Sequence, residues 1–207
     1  MDTTIGIFVA IIIFFIVYFI AYNFQSDLVY VKSFVDNQSY LVRELPDKQK
    51  AADLLASLKN KLINLVEKLD NQYPKNKKVQ MLVQRYRPDE LSEVPDKSNY
   101  TSYSVNKGEK IIFCIRSRDE KEKLVSLNTI LFVALHELAH VMTVSVGHTE
   151  EFWENFRFLL AHAIHWKMYK PVNFRAKPQP YCGTFITDTP LKLKDMKKYN
   201  IWTMVEK

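Results

Sequence analysis

The chain is poor in cysteine and glycine. It has 2 cysteines and 4 glycines in 207 residues, and it contains no internal repeats or low-complexity tracts. Cys114 and Cys182 do not form a Cys-x-x-Cys pair, which excludes the usual cysteine-rich structural zinc site. A small secreted domain would more often carry several paired cysteines, so two cysteines without a framework favour a cytosolic domain.

Charged residues are absent from the N-terminal end. No Asp, Glu, Lys or Arg occurs from Thr3 to Ser26, and residues 5–21 (IGIFVAIIIFFIVYFIA) are almost continuously apolar. About 20 apolar residues span the ~30 Å hydrocarbon core of a bilayer, so we predict a single transmembrane helix within residues 1–23. A cleavable signal peptide fits less well, because both a positive n-region and a small-x-small cleavage site are missing.

The flanking residues bear on orientation. No Lys or Arg precedes the apolar segment, whereas Lys32 and Arg43 follow it, so the positive-inside bias favours a cytosolic C-terminal domain. Two sequons, Asn37-Gln38-Ser39 and Asn99-Tyr100-Thr101, would instead suit a lumenal domain.

The remaining chain is long enough for one domain with a substantial core. We predict a juxtamembrane spacer over residues 24–46 and a single domain over 47–207. A helix with one apolar face is predicted from Asp47 to about Asn71, packing on other helices rather than forming a dimeric coil. Residues 100–105 and 110–116 flank a glycine-containing turn, which predicts a β-hairpin.

A metal-binding motif lies in the second half of the chain. His136, Glu137 and His140 form His-Glu-x-x-His within residues 127–146, whose apolar spacing predicts a helix. Residues four apart share a helix face, so both imidazoles can hold one Zn²⁺ while Glu137 lies beside it as a general base. Zinc lowers the pKa of water from about 15.7 toward 7, so this spacing is typical of a zinc hydrolase.

A third ligand is expected just after this helix. Gly147 can adopt a positive φ and end the helix, which would return His148 to the same ion. Three protein ligands and one open position are typical of a catalytic zinc site. Thr149 then caps a second helix that runs to about His165. Glu154, one turn into that helix, is the alternative third ligand.

The run HELAHVMTVSVGHTEEFW, residues 136–153, resembles the zinc metallopeptidases of the WLM and SprT type. Those proteins combine the His-Glu-x-x-His helix with a third histidine just past its end and an aromatic residue about four positions on. The resemblance covers roughly residues 95–190 in layout and is specific over residues 136–153.

The resemblance implies a role for each matching residue. It makes His136, His140 and His148 the zinc ligands, Glu137 the general base and Phe152 the packing aromatic. It also implies an α+β, zincin-like metallopeptidase domain with a small β-hairpin or sheet, preceded here by one transmembrane helix.

The resemblance further implies the partners. A strand before the motif would border the cleft and pair with an extended polypeptide substrate. More loosely, the chain resembles membrane-anchored proteins encoded by large DNA viruses, in which case the membrane is that of the virion.

Several assignments stay open in the sequence. Tyr181-Cys182-Gly183, in an irregular stretch over 171–190, could return over the cleft, where the tyrosine would donate to a developing oxyanion or simply pack. The net charge is +6, but nucleic acid is not an expected partner of a membrane-anchored chain. The lysines form two clusters: Lys75, Lys77 and Lys78, and Lys192, Lys194, Lys197 and Lys198.

The competing functional class is a non-catalytic membrane or virion structural protein, in which zinc only stabilises the fold. An open fourth coordination position favours the enzyme, and Glu137 would have no evident use in a scaffold.

Overall fold

The computed structural model describes residues 3–23 and 27–191, so the second lysine cluster lies outside the described residues. The helices are α1 (Thr3–Asn23), α2 (Lys48–Gln72), α3 (Lys77–Arg85), α4 (Leu127–Val141) and α5 (Glu150–His165). The strands are β1 (Leu28–Lys32), β2 (Ser39–Arg43), β3 (Leu91–Glu93), β4 (Tyr103–Val105), β5 (Lys110–Phe113), β6 (Gln179–Tyr181) and β7 (Thr184–Ile186).

Five strands form one mixed sheet in the order β1-β2-β3-β5-β4. The β1–β2 and β4–β5 pairs are antiparallel, whereas β2–β3 and β3–β5 are parallel. The predicted hairpin is therefore confirmed as β4 and β5, with Ser104 opposite Ile111. Its first strand, β4, lies at an edge of the sheet. β6 and β7 form a separate antiparallel hairpin.

Residues 28–43 belong to the domain, so the spacer predicted over 24–46 is wrong for this part. β1 and β2 pair along five residues each, and Tyr40 and Val42 of β2 are buried in the core. Burial alternates along β2, the two-residue period of a strand with one covered face. Arg43, the last residue of β2, forms ion pairs with Asp27 just before β1 and with Glu122 in the segment between β5 and α4.

The helix predicted from Asp47 to Asn71 is confirmed as α2. It packs against β2, α3 and α4, so its apolar face is covered within the chain. Each fully buried leucine contributes roughly 1.5–3 kcal/mol through removal of apolar surface from water. Asp47 makes no side-chain capping bond and instead pairs with Arg116 Nη1 at 2.7 Å. The buried residues of α2 include Leu55, Leu58, Leu62, Leu65 and Leu69.

The N-terminal helix α1 stands apart from this core. The side chains that the structure describes on it are those of residues 6–18, and the large apolar ones are exposed. Within the described residues, no helix has the length and apolarity that a membrane crossing requires. The transmembrane helix therefore gains no support from the structure.

The two cysteines form a disulfide, with a Cα–Cα distance of 6.0 Å. Cys114 follows β5, and Cys182 lies in the turn between β6 and β7. The sequence does not indicate this bond, because a separation of 68 residues carries no pattern that pairs the two cysteines. The cysteine count consequently gives no argument for a cytosolic domain.

Candidate metal centre and substrate cleft

The helix that carries the metal-binding motif begins at a well-formed cap. Ser126 Oγ accepts a hydrogen bond from Thr129 N at 3.1 Å, as an N-cap side chain should. The spacing of four residues places His136 and His140 on one face, and Glu137 lies one position along. The predicted helix is thus confirmed from Leu127 to Val141, about four turns.

This helix ends at Val141, earlier than the predicted end at residue 146. The following residues include β-branched Thr143, whose hydroxyl donates to Ala139 O at 2.6 Å. The Asn155 side chain of α5 donates to Met142 O at 3.1 Å. It thus supplies the hydrogen bond that a backbone N–H of a further helical turn would otherwise donate to this carbonyl. A hydrogen-bond donor from a neighbouring helix therefore fixes the end of α4. The spacing of apolar residues within α4 does not reveal this contact.

The loop after α4 is held from two sides. Lys107 Nζ, from the β4–β5 turn, donates to Ser145 O at 2.7 Å. The Glu151 carboxylate, from α5, accepts from Ser145 Oγ at 2.9 Å and from Ser145 N at 3.3 Å. Gly147 has a φ of 84°, as expected for the turn before His148. The loop consequently brings His148 back over α4.

Three imidazoles converge on one point. His148 Nε2 lies 3.1 Å from His136 Nε2 and 3.2 Å from His140 Nε2. The candidate ligand atoms of all three histidines lie within 4.8 Å of one another. Tetrahedral zinc with Zn–N bonds of about 2.0–2.1 Å requires N···N spacings of roughly 3.3 Å. The set of donors and its spacing therefore fit Zn²⁺.

Burial keeps two of these histidines, His136 and His140, neutral. Burial lowers the pKa of His136 to about 3 and that of His140 to about 4, and repulsion from neighbouring imidazolium groups adds to both shifts. A neutral imidazole has the lone pair that binds a metal, so these two side chains are ready to coordinate at neutral pH.

The rival third ligand lies elsewhere. Glu154 Oε2 is 3.8 Å from Lys78 Nζ, on the outer side of α5, and does not join the three histidines. The other two carboxylates near the start of α5 are also engaged: Glu150 pairs with Arg157, and Glu151 holds the loop. The structure thus brings His148 to the motif and leaves Glu154 apart.

Aromatic packing surrounds the imidazoles. Phe152 is fully buried, and its ring centroid lies 4.3 Å from that of His140, 4.6 Å from that of His148 and 4.8 Å from that of His136. The expected packing aromatic is therefore in contact with all three histidines. A rigid apolar backing limits the rotamers of ligand side chains and so preorganises the site.

Glu137 faces the edge strand. Its side chain is buried, and burial raises its pKa to about 7, although hydrogen bonds from the backbone and side chain of Ser104 oppose the rise. A bound divalent cation would lower this pKa again. Ser104 was not a sequence candidate, because its role depends on β4 lying beside α4.

An open cleft of about 670 Å³ runs past these residues. Glu137 and the three histidines line it, together with residues of β4, the loop after α4 and the β6–β7 hairpin. Tyr181 of this hairpin reaches the cleft, as the sequence allowed. A second cavity of about 480 Å³ shares Phe132 and His136 with the first and extends toward Trp153.

Comparison with known proteins identifies the family. The WLM domain model matches residues 35–199. The chain belongs to the WLM family. The WLM resemblance of the motif is thereby confirmed, and the match begins within the region first predicted to be a spacer.

Viral proteins are among the relatives of this WLM protein. An uncharacterized protein of Acanthamoeba polyphaga mimivirus is 34% identical over 181 residues, which cover 86% of this chain and 91% of the relative. An uncharacterized protein of Invertebrate iridescent virus 6 is 32% identical over 80 residues, 38% of this chain and 44% of its own. Among solved structures, Wss1 from Saccharomyces cerevisiae covers 61% of this chain and 88% of its own, with 18% identity and a TM-score of 0.45.

Proposed function

We propose that this WLM protein is a zinc-dependent peptidase. The observation that carries the proposal is the group of three imidazole nitrogens beside a buried carboxylate, at the wall of an open cleft. His136, His140 and His148 would hold the ion. When bound, zinc supplies Lewis-acid polarisation and lowers the pKa of water to about 7.

The chain's own residues account for the proton transfers. Glu137 accepts a proton from the attacking water and then returns it to the nitrogen of the leaving amine. Without metal, burial raises the pKa of this carboxyl to about 7, and a bound cation would lower it, so the carboxylate would be ionised and able to accept a proton. The hydrogen bonds from Ser104 orient the carboxylate toward the cleft.

The edge strand provides a place for the substrate. Among the described residues β4 pairs with β5 alone, so its other side can add an extended polypeptide strand. Main-chain hydrogen bonds would then align the scissile bond along the cleft with few demands on side chains. The proposed substrate is an extended polypeptide segment.

Zinc binding and hydrolysis test this proposal in the full-length chain. Elemental analysis should find one zinc per chain in the parent protein. His148→Ala should weaken zinc binding by orders of magnitude, whereas Glu154→Ala should have little effect, because only the histidine lies with the other ligands. A larger effect of Glu154→Ala would move the site to a His-His-Glu set.

The base is tested separately from the metal. Glu137→Gln should keep zinc and fold but lose hydrolysis of casein, since the change removes a base and not a ligand. Glu154→Gln is the matched control, with the same change at an exposed position. Zinc without hydrolysis in the parent chain would favour the structural-protein alternative, and turnover by Glu137→Gln would contradict the mechanism.

Membrane anchoring is a proposal from the sequence alone. The uncharged segment from Thr3 to Ser26 would be strongly unfavourable in water, so we expect the full-length chain to resist carbonate extraction from membranes. Removal of residues 1–22 should release it. Recovery of a mature chain that starts near residue 24 would identify a signal peptide instead.

A further inference from the structure

The β6–β7 hairpin places a tyrosine in the wall of the cleft. Tyr181 is the last residue of β6, and the turn that follows it has positive φ at Cys182 (49°) and Gly183 (76°). The disulfide from Cys182 to Cys114 ties this turn to the end of β5. Tyr181 therefore lines the same cavity as Glu137 with its backbone covalently restrained.

The hydroxyl of this tyrosine belongs to an ordered chain of hydrogen bonds. Cys114 N donates to Ser102 Oγ at 3.1 Å, and Ser102 Oγ lies 2.6 Å from Tyr181 Oη. Because Ser102 Oγ already accepts one bond, its own proton can be donated to Tyr181 Oη. The phenolic proton then points away from Ser102, and each bond of such a chain polarises the next.

The surroundings keep this phenol protonated. Tyr181 is buried, and burial raises its pKa above the ordinary value; the Glu137 carboxylate adds to the rise. The hydroxyl therefore keeps its proton at neutral pH and can donate a hydrogen bond, and Tyr181 and Glu137 line the same cleft.

We propose that Tyr181 donates its O–H to the negatively charged oxygen that develops on the scissile carbonyl, and that Ser102 is the positioning residue that orients this donor. This inference rests on the proposed peptidase function. The tyrosine keeps its proton throughout, so it forms a hydrogen bond and no covalent intermediate. A donor aimed at a developing oxyanion stabilises the transition state more than the bound substrate.

Kinetics of Tyr181→Phe in the full-length zinc protein test the role. A fluorogenic peptide built on a casein cleavage site, mapped by mass spectrometry, serves as substrate. We expect kcat to fall about 100-fold with KM changed less than about threefold, because one oxyanion donor contributes on this order. Tyr86→Phe is the matched control: Tyr86 is buried, and its hydroxyl has no partner within the described part of the chain.

Binding gives a readout independent of turnover. A phosphinic peptide of the same sequence presents a charged tetrahedral oxygen, so calorimetry should show weaker binding to Tyr181→Phe by a factor similar to the loss of kcat. The ordinary peptide should bind Glu137→Gln equally well with or without the Tyr181→Phe change. Equal phosphinate affinity in Tyr181→Phe and Tyr86→Phe would overturn the proposal.

A folding failure would not leave the question open. If Tyr181→Phe does not fold, Ser102→Ala keeps the phenol and removes its positioning partner, together with the acceptor of Cys114 N. A loss of kcat of about tenfold with unchanged KM supports the proposal, and an unchanged kcat overturns it. If the parent chain binds zinc but neither cleaves casein nor binds the phosphinate, it is the peptidase function itself that fails.

Discussion

The ionisation of Glu137, the proposed general base, also affects the stability of the fold. Burial raises the pKa of this carboxyl from 4.5 to about 7. Between these two values the folded chain holds a proton that the unfolded chain has lost, so the free energy of unfolding falls as pH rises through this window. The buried base thus lowers stability at neutral pH when no metal is bound.

Comparison of the metal-free parent with Glu137→Gln tests this cost. The variant has no ionisable group at this position, so its advantage in unfolding free energy should grow from near zero below about pH 4 to about 3 kcal/mol above about pH 7.5. Denaturant unfolding across this range measures the difference, and the contribution of the histidines cancels because both chains contain them. A difference that does not change with pH would contradict the raised pKa.

The motif residues could be assigned from sequence because they lie within one short segment. The spacing of His136 and His140 fixes a shared helix face, and a glycine directly precedes His148, so local rules suffice to gather all three. Ser104 and Ser102 could not be found in this way. Ser104 lies in β4 and Ser102 directly precedes it, and the position of this segment beside α4 is set by the whole sheet.

At the scale of the elements, the β4–β5 turn supports the metal centre. Lys107 has a φ of 58° in this turn and donates from Nζ to Thr143 O at 3.1 Å and to Ser145 O at 2.7 Å. These carbonyls belong to the loop that returns His148 to α4. A hairpin that borders the substrate cleft therefore also holds the loop of the third ligand.

Replacement of Lys107 by methionine should weaken zinc binding without removing a ligand. The variant keeps the length of the side chain but loses both bonds to the loop, and supporting partners of metal ligands typically contribute about 10–100-fold in affinity. A competition assay with a zinc chelator measures the effect, with Lys97→Met as the control at an exposed position. Equal zinc affinity in the two variants would show that the loop keeps its position without the hydrogen bonds from Lys107.

Elements with strong internal periodicity were predictable, and those fixed by contacts between distant segments were not. α2 and α5 agree closely with the apolar spacing and with Thr149 as a cap, which accepts from Phe152 N at 3.4 Å. β1 and β2 were missed because each has only five residues, and their place in the sheet depends on pairing with β3, some fifty residues later.

At the scale of the whole molecule, the disulfide bears on the compartment in which the domain lies. Cys114 follows β5 and Cys182 lies in the turn between β6 and β7, so the bond joins two segments that are 68 residues apart in sequence. Disulfides persist in oxidising compartments, whereas the positive-inside bias favours a cytosolic domain. Both sequon asparagines, Asn37 and Asn99, are exposed. The thiol state therefore decides between two locations that the N-terminal sequence leaves open.

Thiol labelling of protein isolated without reductant measures this state. We expect neither Cys114 nor Cys182 to react with a maleimide before reduction and both to react afterwards, with the linked peptides visible by mass spectrometry.

The cross-link closes a segment of 68 residues, which in the chain-entropy treatment stabilises the fold by about 4 kcal/mol. The Cys114→Ala, Cys182→Ala double variant should therefore unfold at lower temperature, and reductant should lower the melting temperature of the parent but not that of the variant. Two reactive thiols in freshly isolated, folded parent protein would contradict the disulfide and would favour a reducing compartment for the domain.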